Sequence, residues 1–70
     1  MYTLIDTFNH CTISRHRTLE AAAKAQARHL RAVKRANGAD SYIPYEVLDS
    51  GGHPITDDDY GRFLSVYNEA

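Results

Sequence analysis

The 70-residue chain reads as an α+β domain of two layers, ββαβ(β)α: a small antiparallel sheet, one long helix packed across it and a short C-terminal helix. Three observations predict this. Two β-branched and aromatic runs separated by a turn signal occupy the first 17 residues. Thr18 to Gly38, TLEAAAKAQARHLRAVKRANG, carries a helical pattern between a start and a stop signal. After it, SYIPYEVL returns to strand chemistry and TDDDYGRFLSVY to a helical period. Seventy residues make a single domain, 1–70.

The hairpin spans residues 2–17. Tyr2 to Phe8 forms its first strand and Thr12 to His16 the returning one. Asn9-His10 lies between them, with Asn9 suited to the positive φ of a tight turn. A three-residue loop sets Ile5 opposite Ile13 with Cys11 on the same face, gathering the apolar groups together. A two-residue loop pairs Asp6 with Ile13, a worse match.

The long helix covers residues 18–37. Thr18 is its N-cap, Glu20 lies in the first turn, and Lys34 and Arg35 lie in the last, where each charge suits the helix dipole. Asn37-Gly38 ends it, since Gly38 can adopt the left-handed conformation. At 100° per residue, Leu19, Ala22, Ala23, Gln26, Leu30 and Val33 share the expected core face. Lys24, Arg28, Arg31 and Arg35 fall in an arc roughly opposite. Ala21, Ala25, Ala32 and Ala36, flanked by His29, make a third stripe of small residues, explained by helix propensity or by close approach of a neighbour.

The third strand is expected over 41–48, with Ile43, Tyr45 and Val47 on one face. Pro44 lacks a ladder donor and marks an edge strand or a local break. Asp49-Ser50-Gly51-Gly52 is a turn over 49–52, and 53–55 is either a short strand or an extended arm. The last helix, 57–68, starts at Thr56 with a capping-box spacing to Asp59. Tyr60, Phe63, Leu64 and Tyr67 follow at i, i+3, i+4 and i+7, a face fit for docking or for a homodimer. Gly61 weakens this helix, so packing must support it.

The net charge of −1 conceals a division. Residues 15–35 hold Arg15, Arg17, Lys24, Arg28, Arg31, Lys34 and Arg35 against Glu20, a local sum of +6. Residues 40–59 hold Asp40, Glu46, Asp49, Asp57, Asp58 and Asp59 with no cation, a local sum of −6. Either the two blocks pair across the fold, or they make a positive and a negative surface that steer partners. The lone Cys11 gives no internal disulfide, and no apolar run suits a signal peptide or a membrane span. The expected location is cytoplasmic, with no membrane partner.

Few residues invite chemistry. His10-Cys11 with His16 lacks anything to orient a base, so Cys11 reads as a small core hydrophobe. His10, His16, His29 and His53 lie on different elements without metal-ligand spacing. Asp57-Asp58-Asp59 matches no EF-hand pattern; it reads as a helix cap, or as an acidic binding surface toward a basic partner. Gly51-Gly52 is followed by His53-Pro54 and is no phosphate loop. No catalytic residue, metal or cofactor is expected. The basic stripe is the one feature suited to nucleic acid, because cations along a rod meet successive phosphates. No zinc-finger, KH or RNP signature accompanies it.

A hairpin, the helix start T-L-E-A-A-A-K-A-Q, and then Y-I-P-Y-E-V-L-D-S-G-G-H-P-I resemble, in layout, small accessory proteins of phages and mobile elements. Within that group the chain is similar to anti-CRISPR proteins in size and in segregated charge. The resemblance implies a non-enzymatic, stoichiometric inhibitor that binds a protein or ribonucleoprotein complex. It transfers no site residues. The alternative, read from the basic stripe, is a small nucleic-acid-binding accessory module.

Overall fold

A computed structural model describes residues 1–70. The elements are β1 (Tyr2–Asp6), β2 (Cys11–His16), α1 (Leu19–Asn37), β3 (Tyr45–Leu48) and α2 (Asp57–Glu69). The sheet has the order β2-β1-β3, and both pairings are antiparallel. The α+β layout is the expected one.

The hairpin register differs from the expectation. Leu4 pairs with Ser14 and Ile5 with Thr12, so a bulge falls at Ile13 and Ile5 does not face it. The connection has four residues, Thr7 to His10, and His10 rather than Asn9 takes the positive φ, at 55°. Asp6 explains the longer loop. Its Oδ1 accepts from the backbone N–H groups of Phe8 (2.9 Å) and Asn9 (3.3 Å), and its Oδ2 from Asn9 Nδ2 (3.0 Å). That Asx-type turn fixes the chain direction before β2 begins. Cys11 then sits at the mouth of the turn, opposite Asp6, and is exposed instead of entering the core.

Thr18 caps α1 as expected, its hydroxyl accepting from Ala21 N–H at 3.1 Å. Gly38 ends the helix with φ 109°, its N–H donating to the Lys34 carbonyl at 2.8 Å. The third strand is shorter than 41–48. Its register places Tyr45 opposite Asp6, the last residue of β1, so residues 41–43 have no strand to pair with. Pro44 lacks a donor, but its carbonyl accepts from both the N–H (2.9 Å) and the hydroxyl (2.7 Å) of Thr7. After the 49–52 turn, residues 53–55 make only an isolated bridge, Leu48 to Pro54. Thr56 caps α2 through Asp59 N–H at 3.2 Å.

Both helices lie on one face of the sheet. Leu4 and Val47 from the sheet, Leu19, Ala22 and Ala23 from α1, and Phe63 from α2 form the core. The buried face of α1 departs from the expected one. Ala27 is buried, whereas Gln26, Leu30 and Val33 are only half-buried. The cause is that α1 is held on two sides. Ala25 and His29 turn toward the sheet, and Ala27, Leu30 and Arg31 toward α2. Part of the alanine stripe is thus packing surface, while Ala32 and Ala36 remain exposed. Only eight of 70 residues are buried and three of those are alanines, so stability rests on few large side chains.

Candidate functional site

Three features outside the core concentrate chemistry. The first is the outer face of α1. Lys24, Arg28, Arg31, Lys34 and Arg35 are all exposed, as are Arg15 on β2 and Arg17 in the link to α1. None of the seven forms a salt bridge: the ion pairs of the molecule are Arg62–Asp59, at 2.7 Å, and a 4.0 Å contact between His53 and Asp49. The basic and acidic blocks therefore do not neutralise each other across the fold. Arg31 is the one stripe cation with a hydrogen-bond partner, the Ala70 carbonyl at 2.8 Å. That bond sets the end of α2 beside the fourth turn of α1. The 13 residues of α2 extend about 18 Å from there, at 1.5 Å per residue. Asp57, Asp58 and Asp59 thus stand well away from Arg31.

The second feature is a cleft of about 290 Å³ between α2 and β3. Tyr60, Phe63, Leu64 and Tyr67 form its helical wall, and Tyr45, Val47 and Ile55 the other. The i, i+3, i+7 spacing on α2 lines up three rings. Tyr60 and Phe63 are parallel within 9° with centroids 6.1 Å apart, and Phe63 and Tyr67 repeat both values. Phe63 is buried and anchors α2 to its own core, so the predicted docking face is partly used inside the molecule. Tyr60, 51% exposed, carries the free end of that face.

The third feature was not visible in the sequence pattern. Tyr45 faces Asp6 across the sheet, and its hydroxyl hydrogen-bonds His29 Nδ1 on α1. The two rings meet edge to face with centroids 5.5 Å apart. Burial, with Tyr67 and Asp6 nearby, pushes the Tyr45 hydroxyl up to about 12. The Asn9 side-chain amide, joined by the Phe8 and Asn9 backbone N–H groups, holds the Asp6 carboxyl below its ordinary range. The Asp6-x-x-Asn9 spacing was the available signal for the turn. His29 and Tyr45 are 16 residues apart, and nothing local links them.

The remaining titratable residues are dispersed. Ser14 Oγ and His16 Nε2 lie 2.7 Å apart on edge strand β2. A general base also needs a group that orients its second nitrogen, and His16 Nδ1 has no hydrogen-bond partner. Asp49 closes the 49–52 turn by accepting from Gly51 N–H (2.9 Å) and His53 N–H (3.1 Å), which hold its carboxyl below the ordinary range, the His53 bond most of all. His10, His16, His29 and His53 stay on separate elements. No helix is long and apolar enough to cross a membrane.

Comparison with known proteins finds no family model, curated protein or solved structure that matches this chain.

Proposed function

We propose that this chain is a non-enzymatic interaction protein that docks on a protein or ribonucleoprotein partner through the charged outer face of α1. The observation that supports it is the unpaired state of the cations in residues 15–35. Charges placed for fold stability meet partners within the chain; these face solvent in a strip along a 19-residue helix. A stoichiometric inhibitor of the anti-CRISPR type, as the layout suggests, is the form of this role to test first. Its partner would be captured from CRISPR effector complexes in a one-to-one assembly, and reversing Arg28 and Arg35 to Glu would abolish the capture. Capture by that variant at wild-type strength refutes the α1 surface. The Asp57, Asp58 and Asp59 surface is tested in parallel by the triple Asp→Lys variant.

One observation favours a second reading, direct nucleic-acid binding. Lys24, Arg28, Arg31 and Arg35 rise along α1 by steps of about 6, 4.5 and 6 Å, close to the spacing of successive phosphates. Four phosphate contacts give a salt slope of about −3.6 on duplex DNA, and neutralising two of them brings it to about −1.8. A titration of labelled single- and double-stranded nucleic acid at low and near-physiological salt separates the readings. Absence of binding at low salt leaves the stripe to a protein partner.

A further inference from the structure

We propose that the exposed rings of Phe8 and Tyr42 stack on unpaired bases of a single-stranded nucleic acid whose phosphates follow the last turns of α1, an inference that rests on the nucleic-acid reading of that helix. Phe8 and Tyr42 are 78% and 80% exposed, more than any other large apolar side chain, and neither joins the core or a ring pair. The fold holds both at one end of the sheet. Asp6 pairs with Cys11 on one side and Tyr45 on the other, so the 7–10 turn and the link into β3 meet there, tied by the two bonds from Thr7 to the Pro44 carbonyl. The cations reach the same end. α1 leaves β2 at the opposite end of the sheet, meets Tyr45 through His29, and runs on for about 12 Å beyond His29 at 1.5 Å per residue. Arg31, Lys34 and Arg35 lie on that overhang, all exposed. Ser41 N–H then donates to the Gly38 carbonyl at 3.1 Å, a turn that sets Tyr42 just past the end of the helix. Asp40 is the only carboxylate in residues 7–10 and 30–44, against those three cations. Stacking needs an open base face, which a single strand presents and a duplex hides within its own stack. Asn9, His10 and Asp40 are exposed beside the rings, so this end offers no continuous apolar patch to a lipid surface. Separate rings next to cations match the alternation of base and phosphate along a strand.

The test is a low-salt titration of the full chain with three labelled ligands of equal length: oligothymidylate, the same sugar–phosphate chain without bases, and a duplex. The abasic chain keeps the phosphates and lacks the stacking faces. Oligothymidylate is expected to bind about tenfold or more tightly than the abasic chain. Phe8→Ala and Tyr42→Ala should each weaken oligothymidylate binding about tenfold, the effect of one stacked base, and leave abasic and duplex binding unchanged. Their salt slope should match that of the unaltered chain, because stacking releases no counterions. Both rings are largely exposed, and the residue 8 backbone N–H still reaches Asp6, so the fold survives; an unchanged urea midpoint verifies this. Tyr42→Phe should retain binding. Lys34→Gln with Arg35→Gln should weaken all three ligands and flatten the slope. Equal affinity for oligothymidylate and the abasic chain, or full affinity in both alanine variants, overturns the stacking and leaves the cationic reading of α1 standing. Absence of binding by all three ligands overturns both. Binding to phosphatidylserine vesicles that the alanine variants abolish, with no dependence on bases, assigns the rings to a membrane and also overturns the proposal.

Discussion

Leu4→Ala tests the packing argument most directly. Leu4 is the only large side chain with no exposure at all, and it sits at the middle of the central strand, in one core cluster with Val47, Leu19, Ala22 and Ala23 of α1 and Phe63 of α2. Removing a fully buried leucine side chain costs about 3–5 kcal/mol, a lost transfer term plus a cavity that neighbours only partly close. The neighbours here collapse poorly. Ala22 and Ala23 have no side chain to extend into the gap, and Phe63 is held within the stacked rings. The upper half of the range, about 4 kcal/mol, is therefore expected. Globular proteins carry about 0.05–0.15 kcal/mol of stability per residue, which for a chain of this length means about 3.5–10 kcal/mol in total. Leu4→Ala should thus remove between a third and all of it. Urea unfolding followed by circular dichroism reads the change as a lower midpoint at constant slope. Leu4→Met, which conserves volume, should lose less than about 1.5 kcal/mol. A loss below about 1 kcal/mol for Leu4→Ala would refute the claim that the sheet and both helices share one closed core.

Gly61→Ala should stabilise by about 0.5–1 kcal/mol in the same assay, because its position in α2 is helical and an added Cβ meets open space. Asp6 and Asp49 are held below the ordinary aspartate value of 3.8, so the unfolded chain takes up protons first as the pH falls; their stabilising effect is full above pH 3.8 and is lost below it. Asp6→Asn should flatten that acid limb when midpoints are compared across pH. Tyr45 is raised from 10.0 to about 12, so the unfolded chain ionises first and stability declines as the pH climbs through that interval. Tyr45→Phe should remove this part of the alkaline decline, and an unchanged decline would mean that Tyr45 is solvated.

Legibility in the sequence followed the range of the interaction. Thr18, Gly38 and Thr56 act through neighbours three or four residues away, and the helix ends they predict are those found. Tyr60, Phe63, Leu64 and Tyr67 line one wall because a helical period alone sets their face. What required a distant partner was missed. Residues 41–43 have strand chemistry, but β1 ends where they would need it. Cys11 has the composition of a core residue, yet the Asp6 turn and the bulge at Ile13 decide where it lies. The core face of α1 departs from the one its period predicts because α2 claims a second side of the helix. The free charge of the α1 face was undecided in the sequence, since charge sums carry no distances.

The slipped register of the hairpin has a consequence for the fate of the chain at high concentration. β1 is saturated on both sides and β3 is partly guarded by the Leu48–Pro54 bridge, which leaves the outer edge of β2 as the long template for sheet growth. A strand arriving there meets the bulge at Ile13, where the ladder falls out of step and the edge twists, and next to it the exposed cation Arg15. Fibril formation needs flat, continuous, weakly charged edges. The bulge costs the hairpin the Ile5–Ile13 contact and protects the molecule from aggregating with its own copies.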